Sequence, residues 1–315
     1  MRRAWWHTSL RRGGALGKNM AEDKMQQQRL ELKYLISERK AEQIRDYIRC
    51  YLEPDEFAST CPNYTYPVHS LYLDSGDLRT YWETINGTKN RFKLRIRYYD
   101  DHPEHPVFFE IKRRMNNCIL KQRGGVKREA VAMLFSGHLP EPGHLVSQNP
   151  KGLVALQRFC HKMSGMQASP KAHIFYQREA WMSPYDNSVR VTFDREVCCE
   201  PDFTSRLPAT VELPAFPFRP LVILELKFTI KADKHSLWNL EDNIQLLPDR
   251  KQSYPPWFED LVQTFDLVQV GVAKYVEGVA AAGDCFFEDP SLDPALGAFD
   301  QEIEAQRYFE QLQED

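Results

Sequence analysis

Residues 91–99 read RFKLRIRYY, with Arg91, Lys93, Arg95 and Arg97 at every second position and Phe92, Leu94, Ile96 and Tyr98 between them. A helix would scatter these cations around its axis. A strand sends alternate side chains to opposite faces, so only a strand puts all four cations on one side and four apolar groups on the other. The same alternation recurs in FFEIKRR, with Glu110, Lys112 and Arg114 together, and in LVILELKF, with Glu225 and Lys227 together. Several strands with strong apolar faces and charged opposite faces imply a sheet whose polar side is enclosed. A row of cations on one wall is costly unless polyanionic material lies against it.

The charge layout narrows the ligand class. The net charge of -3 over 315 residues divides into +4 for residues 1–24, -10 for residues 277–315 and +3 for residues 25–276. A central segment this mildly basic is too weak for a general nucleic-acid surface and fits one concentrated anion site. The apolar fraction of 42% supports a full core. The seven cysteines are odd in number and form no CxxC pair, which implies free thiols in a reducing, cytoplasmic compartment. Adjacent Cys198 and Cys199 lack the partner spacing of a metal site. No apolar run approaches a membrane span, and the Arg-rich start lacks the apolar stretch of a secretory signal.

The pattern predicts strands at 29–36, 68–74, 91–99, 107–114, 117–123, 171–182, 189–195 and 220–229. Residues 171–182 and 189–195 pair as a hairpin across PYDN. Helices are expected at 38–52, capped by Ser37, and at 77–85, 126–136, 150–163 and 235–247, with helical or mixed structure from 257 to about 280. Pro54 to Pro67 reads as a loop. Residues 1–27 read as an arm or an over-extended start, 28–280 as one domain, and 281–315 as an acidic tail with helical potential at 300–313. About eight strands joined largely by hairpins predict an α+β fold: an antiparallel barrel or strongly curved sheet with flanking helices.

Parity groups the inward side chains: Glu31 with Lys33, the 91–97 cations, Glu110 with Lys112, Lys121 with Arg123, Arg178 with Tyr176, Arg190 with Asp194, and Glu225 with Lys227. Lys274 lies in the late segment VAKYVEG. If these faces enclose one lumen, its cations bind phosphate oxygens and its carboxylates hold a divalent metal. Each group also has a plainer reading. A cationic strand face is commonly solvated, and the Glu–Lys pairs read equally as surface ion pairs worth ~0.2–1 kcal/mol. His69, His161, His173 and His235 lack metal spacing. Gly124–Gly125 resembles a phosphate loop only weakly and reads better as a turn. No GxSxG motif is present. The joint recurrence on many strands favours the enclosed lumen.

The ordered set ELKYLI, SLYLDS, RFKLRIRYY, FFEIKRR, KQR, FYQREAW, VRVTFDR, ILELKF and AKYVEG, over about residues 28–278, resembles the VTC domain. This is the polyphosphate-polymerase domain of the vacuolar transporter chaperone type, within the CYTH-like triphosphate tunnel metalloenzyme superfamily. The resemblance implies an antiparallel eight-stranded β-barrel tunnel and ATP-dependent polyphosphate synthesis with Mn²⁺ or Mg²⁺. By similarity Lys33, Arg95, Arg97, Lys112, Lys121, Arg178 and Lys274 grip phosphates, with Arg95, Arg97 and Arg178 at the reacting group. Glu225 binds the metal, with Glu110 a second candidate. Strand parity adds Arg91, Lys93, Arg123, Arg190 and Lys227. Two departures stand out. The tunnel triphosphatases carry ExExK where this chain has Arg29, Glu31 and Lys33, which favours the polymerase over a two-metal hydrolase. VGVAKY has Gly271 and Ala273 where the family often has a further basic residue and a serine, which weakens the tunnel exit site. Without the SPX domain and membrane helices of the eukaryotic complex, the chain resembles a stand-alone soluble form of bacterial type. A metal-dependent triphosphatase and a non-catalytic polyphosphate-binding module remain the alternatives.

Overall fold

The computed structural model describes residues 29–115, 118–185, 188–229, 255–284 and 287. The expected helices at 235–247 and 300–313, residues 1–27 and most of the acidic tail lie outside them. The strands are β1 (Arg29–Ile36), β2 (Glu53–Pro54), β3 (Thr65–Asp74), β4 (Asn90–Tyr98), β5 (Val107–Met115), β6 (Cys118–Val126), β7 (Ser169–Met182), β8 (Val189–Pro201) and β9 (Val222–Thr229). The helices are α1 (Glu38–Ile48), α2 (Arg79–Ile85), α3 (Ala130–Phe135), α4 (Pro150–Gly165), α5 (Pro256–Thr264) and α6 (Lys274–Ala282).

All nine strands form one antiparallel sheet in the order β1-β9-β8-β7-β3-β4-β5-β6, with β2 paired to β7. Among the described residues no ladder joins β1 to β6, so the pairing is open where eight closed strands were expected. The sheet nevertheless curls until its two ends face each other. Lys112 Nζ on β5 lies 3.3 Å from Glu31 Oε1 on β1, although these strands stand near opposite ends of the sheet order. The ninth strand, β2, was not expected; only its second residue, Pro54, belongs to the segment read as a loop. It is two residues long and extends its pairing through Asp55 N, which donates to Ala180 O at 2.9 Å.

The outer face carries the alternating apolar groups and is covered by helices. Ser37 caps α1 by accepting from Lys40 N at 3.3 Å. The α1 residues Ala41, Ile44 and Ile48, with Phe258 and Leu261 of α5, pack on Leu224 and Leu226 of β9 and Phe193 of β8. Helices α3 and α4 set Leu134, Leu156 and Phe159 against Leu94, Ile96, Phe109 and Ile111. Each of these leucine, isoleucine and phenylalanine side chains contributes roughly 1.5–3 kcal/mol on full burial. The glycine pair read as a turn sits inside β6 instead. A Cβ on Gly124 would stand 2.9 Å from Gly152 O, so the residue lets α4 press directly on the strand.

Helix α6 packs instead against the inner face, in a cluster that also holds Tyr81 of α2. Tyr275, Val276 and Val279 cluster with Tyr72, Ile174, Tyr176 and Ile223, all on the concave side of the sheet. Gly278 makes this seat possible: a Cβ there would stand 2.7 Å from Cys199 Cβ and 2.9 Å from Ile174 Cδ1.

Candidate functional site

The strand register joins the separate parity groups into one wall. Directly opposed residues share a face. On β4 and β5, Arg91 faces Arg114, Lys93 faces Lys112, and Arg95 faces Glu110; on β6, Lys121 and Arg123 face Lys112 and Glu110. Arg97 and Arg95 continue across to Ser70 and Tyr72 of β3. On the other side Arg178 faces Asp194, Thr192 faces Glu225, Arg190 faces Lys227, and Lys33 and Glu31 face Glu225 and Lys227. Lys274 joins from the first residue of α6.

One half of the wall is organised around Glu110, which is fully buried. Arg95 Nε donates to its Oε2 at 2.8 Å, Lys121 Nζ lies 2.7 Å from Oε1, and Arg123 Nε lies 3.6 Å away. Burial alone would raise the Glu110 pKa, but Arg95, Arg97 and Lys121 hold it well below the usual carboxylate range. The Arg95 guanidinium also donates to the Tyr72 hydroxyl at 3.1 Å. Arg97 is buried and donates to the Tyr176 hydroxyl at 3.2 Å. Arg123 stacks on Phe108, 3.5 Å from the ring centroid.

The other half is organised around Asp194 and Glu225. Arg178 grips Asp194 with two hydrogen bonds of 2.7 Å, and Lys274 Nζ lies 2.8 Å from the same carboxylate. Burial pushes Asp194 up, yet Arg178 and Lys274 bring its pKa down to about 2. Glu225 accepts from Lys227 at 2.8 Å and lies 3.8 Å from Arg178. Lys33 donates to Val272 O at 2.6 Å and sits 3.4 Å from Glu31, tying β1 to the segment that leads into α6.

Two lysines on the wall are held far from their ordinary value. Burial lowers the Lys93 pKa to about 7, with Lys112, Lys33 and Arg91 adding to the effect. Lys121, although its side chain is 45% exposed, falls to about 7, chiefly through desolvation within the hollow, with Arg95 and Arg97 adding to the fall against the help of Glu110. Among the buried polar atoms of the described residues that have no hydrogen-bond partner are Arg97 Nε, Ser70 Oγ and Thr192 Oγ1. Their residues all belong to the inner face. Cations outnumber the carboxylates Glu31, Glu110, Asp194 and Glu225 on a wall that also holds unsatisfied polar atoms, which is the chemistry of a receptor for a multiply charged oxyanion.

Thus most of the predicted residues converge. Two sit at the rim: Arg91 donates to Thr88 O at 2.6 Å, and Arg190 donates to Asp55 at 2.6 Å. Sequence reasoning placed Asp194 on a face without a role, and it overlooked Asp55, Tyr72 and the Tyr176 hydroxyl as wall groups. The hairpin turn was the available signal for Asp194, since its register sets Arg178 opposite that residue. Both metal candidates are ringed by cations: Glu110 by Arg95, Lys121 and Arg123, and Glu225 by Lys227 and Arg178. Glu225 and Glu31 stand on the same inner face, diagonal to each other across the β1–β9 ladder. Among the described residues no three acidic, His or Cys side chains form a metal-holding group. A pair of carboxylates fits a Mg²⁺-type cation, which commonly takes one or two carboxylates and completes its shell with ligand phosphates. Among the histidines, His69 and His173 are buried and hydrogen-bonded to each other at 3.0 Å, away from this wall.

Fold and site together define a tunnel-type antiparallel domain that handles nucleotide or polyphosphate anions. The chain belongs to the VTC domain family, whose model matches residues 28–282. A comparison with curated proteins finds no match. A crystal structure from Bacillus halodurans, of a protein named as a candidate adenylate cyclase, aligns with 14% identity and a TM-score of 0.42, covering 78% of this chain and 94% of that one. No described helix is long and apolar enough to cross a membrane.

Proposed function

We propose that the domain is an ATP-dependent polyphosphate polymerase, a phosphotransferase that moves the nucleotide γ-phosphate onto a polyphosphate chain held in the hollow. The observation that carries this reading is the connected inner wall of excess cations, with buried polar atoms left unpartnered on it. Membership of the VTC domain family supports it.

The terminal oxygen of the chain forms a bond to the γ-phosphorus. The bond from that phosphorus to the β–γ bridging oxygen breaks, and ADP leaves. No protein nucleophile is required, because positioning and charge neutralisation carry most of such catalysis. Arg95, Arg97 and Arg178 neutralise charge on the transferring group. Glu110, Tyr176 and Asp194 already hold these guanidinium groups, so little reorganisation accompanies the reaction. Lys33, Lys93, Lys112, Lys121, Arg123, Lys227 and Lys274 bind the remaining phosphates, with Arg91 and Arg190 at the rim. Glu225, with Glu31, would hold a Mn²⁺ or Mg²⁺ ion, which would supply charge neutralisation on the phosphates when bound.

Incubation of the protein with ATP and Mn²⁺ is expected to give a gel ladder of polyphosphate with matching ADP. Free phosphate without a ladder would indicate the triphosphatase instead. Tight polyphosphate binding with no turnover would indicate a binding module. Glu225→Gln is expected to lower turnover at least about a hundredfold without loss of fold by circular dichroism; unchanged turnover would remove its role.

A further inference from the structure

The inner wall contains a second set of contacts that the charge pairs do not explain. Tyr275, the residue after Lys274, is buried, and its hydroxyl donates to Asp74 Oδ2 at 2.7 Å. Asp74 is itself fully buried at the end of β3, where it accepts from Thr80 N at 2.9 Å and Tyr81 N at 3.1 Å and so caps α2. It is therefore a rigid anchor. The Tyr275 ring stacks on Tyr72, with centroids 4.8 Å apart and planes 16° apart. The Tyr72 hydroxyl in turn receives Arg95 Nη1 at 3.1 Å. Lys93 Nζ lies over the other ring of this stack, 5.5 Å from the Tyr275 centroid.

We propose that Tyr275 and Tyr72 are positioning residues for the anion site. Anchored by Asp74, Tyr275 seats α6 against the concave face and, through the stacked Tyr72 ring, sets the orientation of the Arg95 guanidinium. Arg95 has a second tether to Glu110, whose Oε2 accepts from Nε at 2.8 Å and lies 2.6 Å from Nη2. The tyrosine holds the remaining nitrogen, Nη1, so that all three nitrogens of the fork are tethered and its plane is fixed. A guanidinium held in one plane meets a phosphate with both donors aligned, whereas one free to rotate loses part of that geometry. Neither tyrosine needs to touch the ligand. This inference rests on the hollow being an anion site, and not on which reaction takes place there.

The test uses the full chain and inorganic tripolyphosphate, with affinity measured by isothermal titration calorimetry and Tm measured alongside. Tyr275→Phe keeps the stacked ring and removes only the bond to Asp74. Tyr72→Phe keeps the stack and removes only the bond to Arg95. Each is expected to weaken tripolyphosphate binding about tenfold, the size of one lost orienting hydrogen bond. The double variant is expected to be no weaker than either single variant, because both act through one path to Arg95. In an Arg95→Lys background, Tyr275→Phe is expected to have less than about a twofold effect. A structural role alone would lower Tm and would leave the effects independent of Arg95, so multiplicative losses would overturn the proposal. Unchanged affinity in Tyr275→Phe would also overturn it, while the wild-type affinity would leave the polyphosphate reading intact. Failure of the wild type to bind tripolyphosphate would instead remove the anion site and the inference with it.

Discussion

Lys93 shows how a single side chain can cost stability. Burial, with Lys112 opposite it on the β4–β5 ladder and Lys33 and Arg91 nearby, drops its folded pKa from the ordinary lysine value to about 7. Below about pH 7 the folded protein carries the full penalty of a buried cation among cations. Between that pH and the ordinary value, the unfolded chain holds a proton that the folded protein lacks, so stability rises with pH. Lys93→Met is therefore expected to raise Tm by about 2–4 °C at pH 6 and by less at pH 9, as followed by calorimetry. The same variant should bind tripolyphosphate several-fold more weakly at pH 6. A lower Tm at pH 6 would show that the lysine stem contributes more by packing than its charge costs.

At the scale of the element, α6 is the part whose placement matters most. It brings Lys274 to Asp194 and Tyr275 to Asp74, and both contacts depend on the close approach at Gly278. Gly278→Ala would press a methyl group into Cys199 and Ile174, at a cost of roughly 1–3 kcal/mol, and lift the start of the helix. A fall in Tm of several degrees with weaker tripolyphosphate binding is the expected result. Gly165→Ala is the control, since a Cβ at that position has nothing within 4 Å. Equal effects of the two substitutions would show that α6 tolerates displacement. The outer helices follow a simpler rule: α1 and α4 carry one apolar stripe each and bury it on the apolar side of the sheet.

Across the whole molecule, the curl of the sheet turns scattered cations into one enclosed field. A cleft lined by one sign of charge steers oppositely charged ligands and speeds their arrival. Stopped-flow association of tripolyphosphate is expected to slow on the order of tenfold between about 0.05 and 0.5 M salt, with the dissociation rate changing far less. A salt effect confined to dissociation would place the cations in contact with ligand but not in long-range attraction. The local facts are legible in the chain itself. Strand parity puts Arg91, Lys93, Arg95 and Arg97 on one face, Ser37 marks the start of α1, and the turn after Met182 marks the β7–β8 hairpin, because period and capping depend only on near neighbours. Parity does not say which strands face each other across the hollow, nor which carboxylate each cation meets. The pairings of Glu31 with Lys112, of Lys274 with Asp194 and of Arg190 with Asp55 join residues far apart in the chain. They exist because the sheet curls, α6 folds back inside it and β2 adds to β7, and that arrangement comes from the packing of the whole sheet, which no single segment encodes.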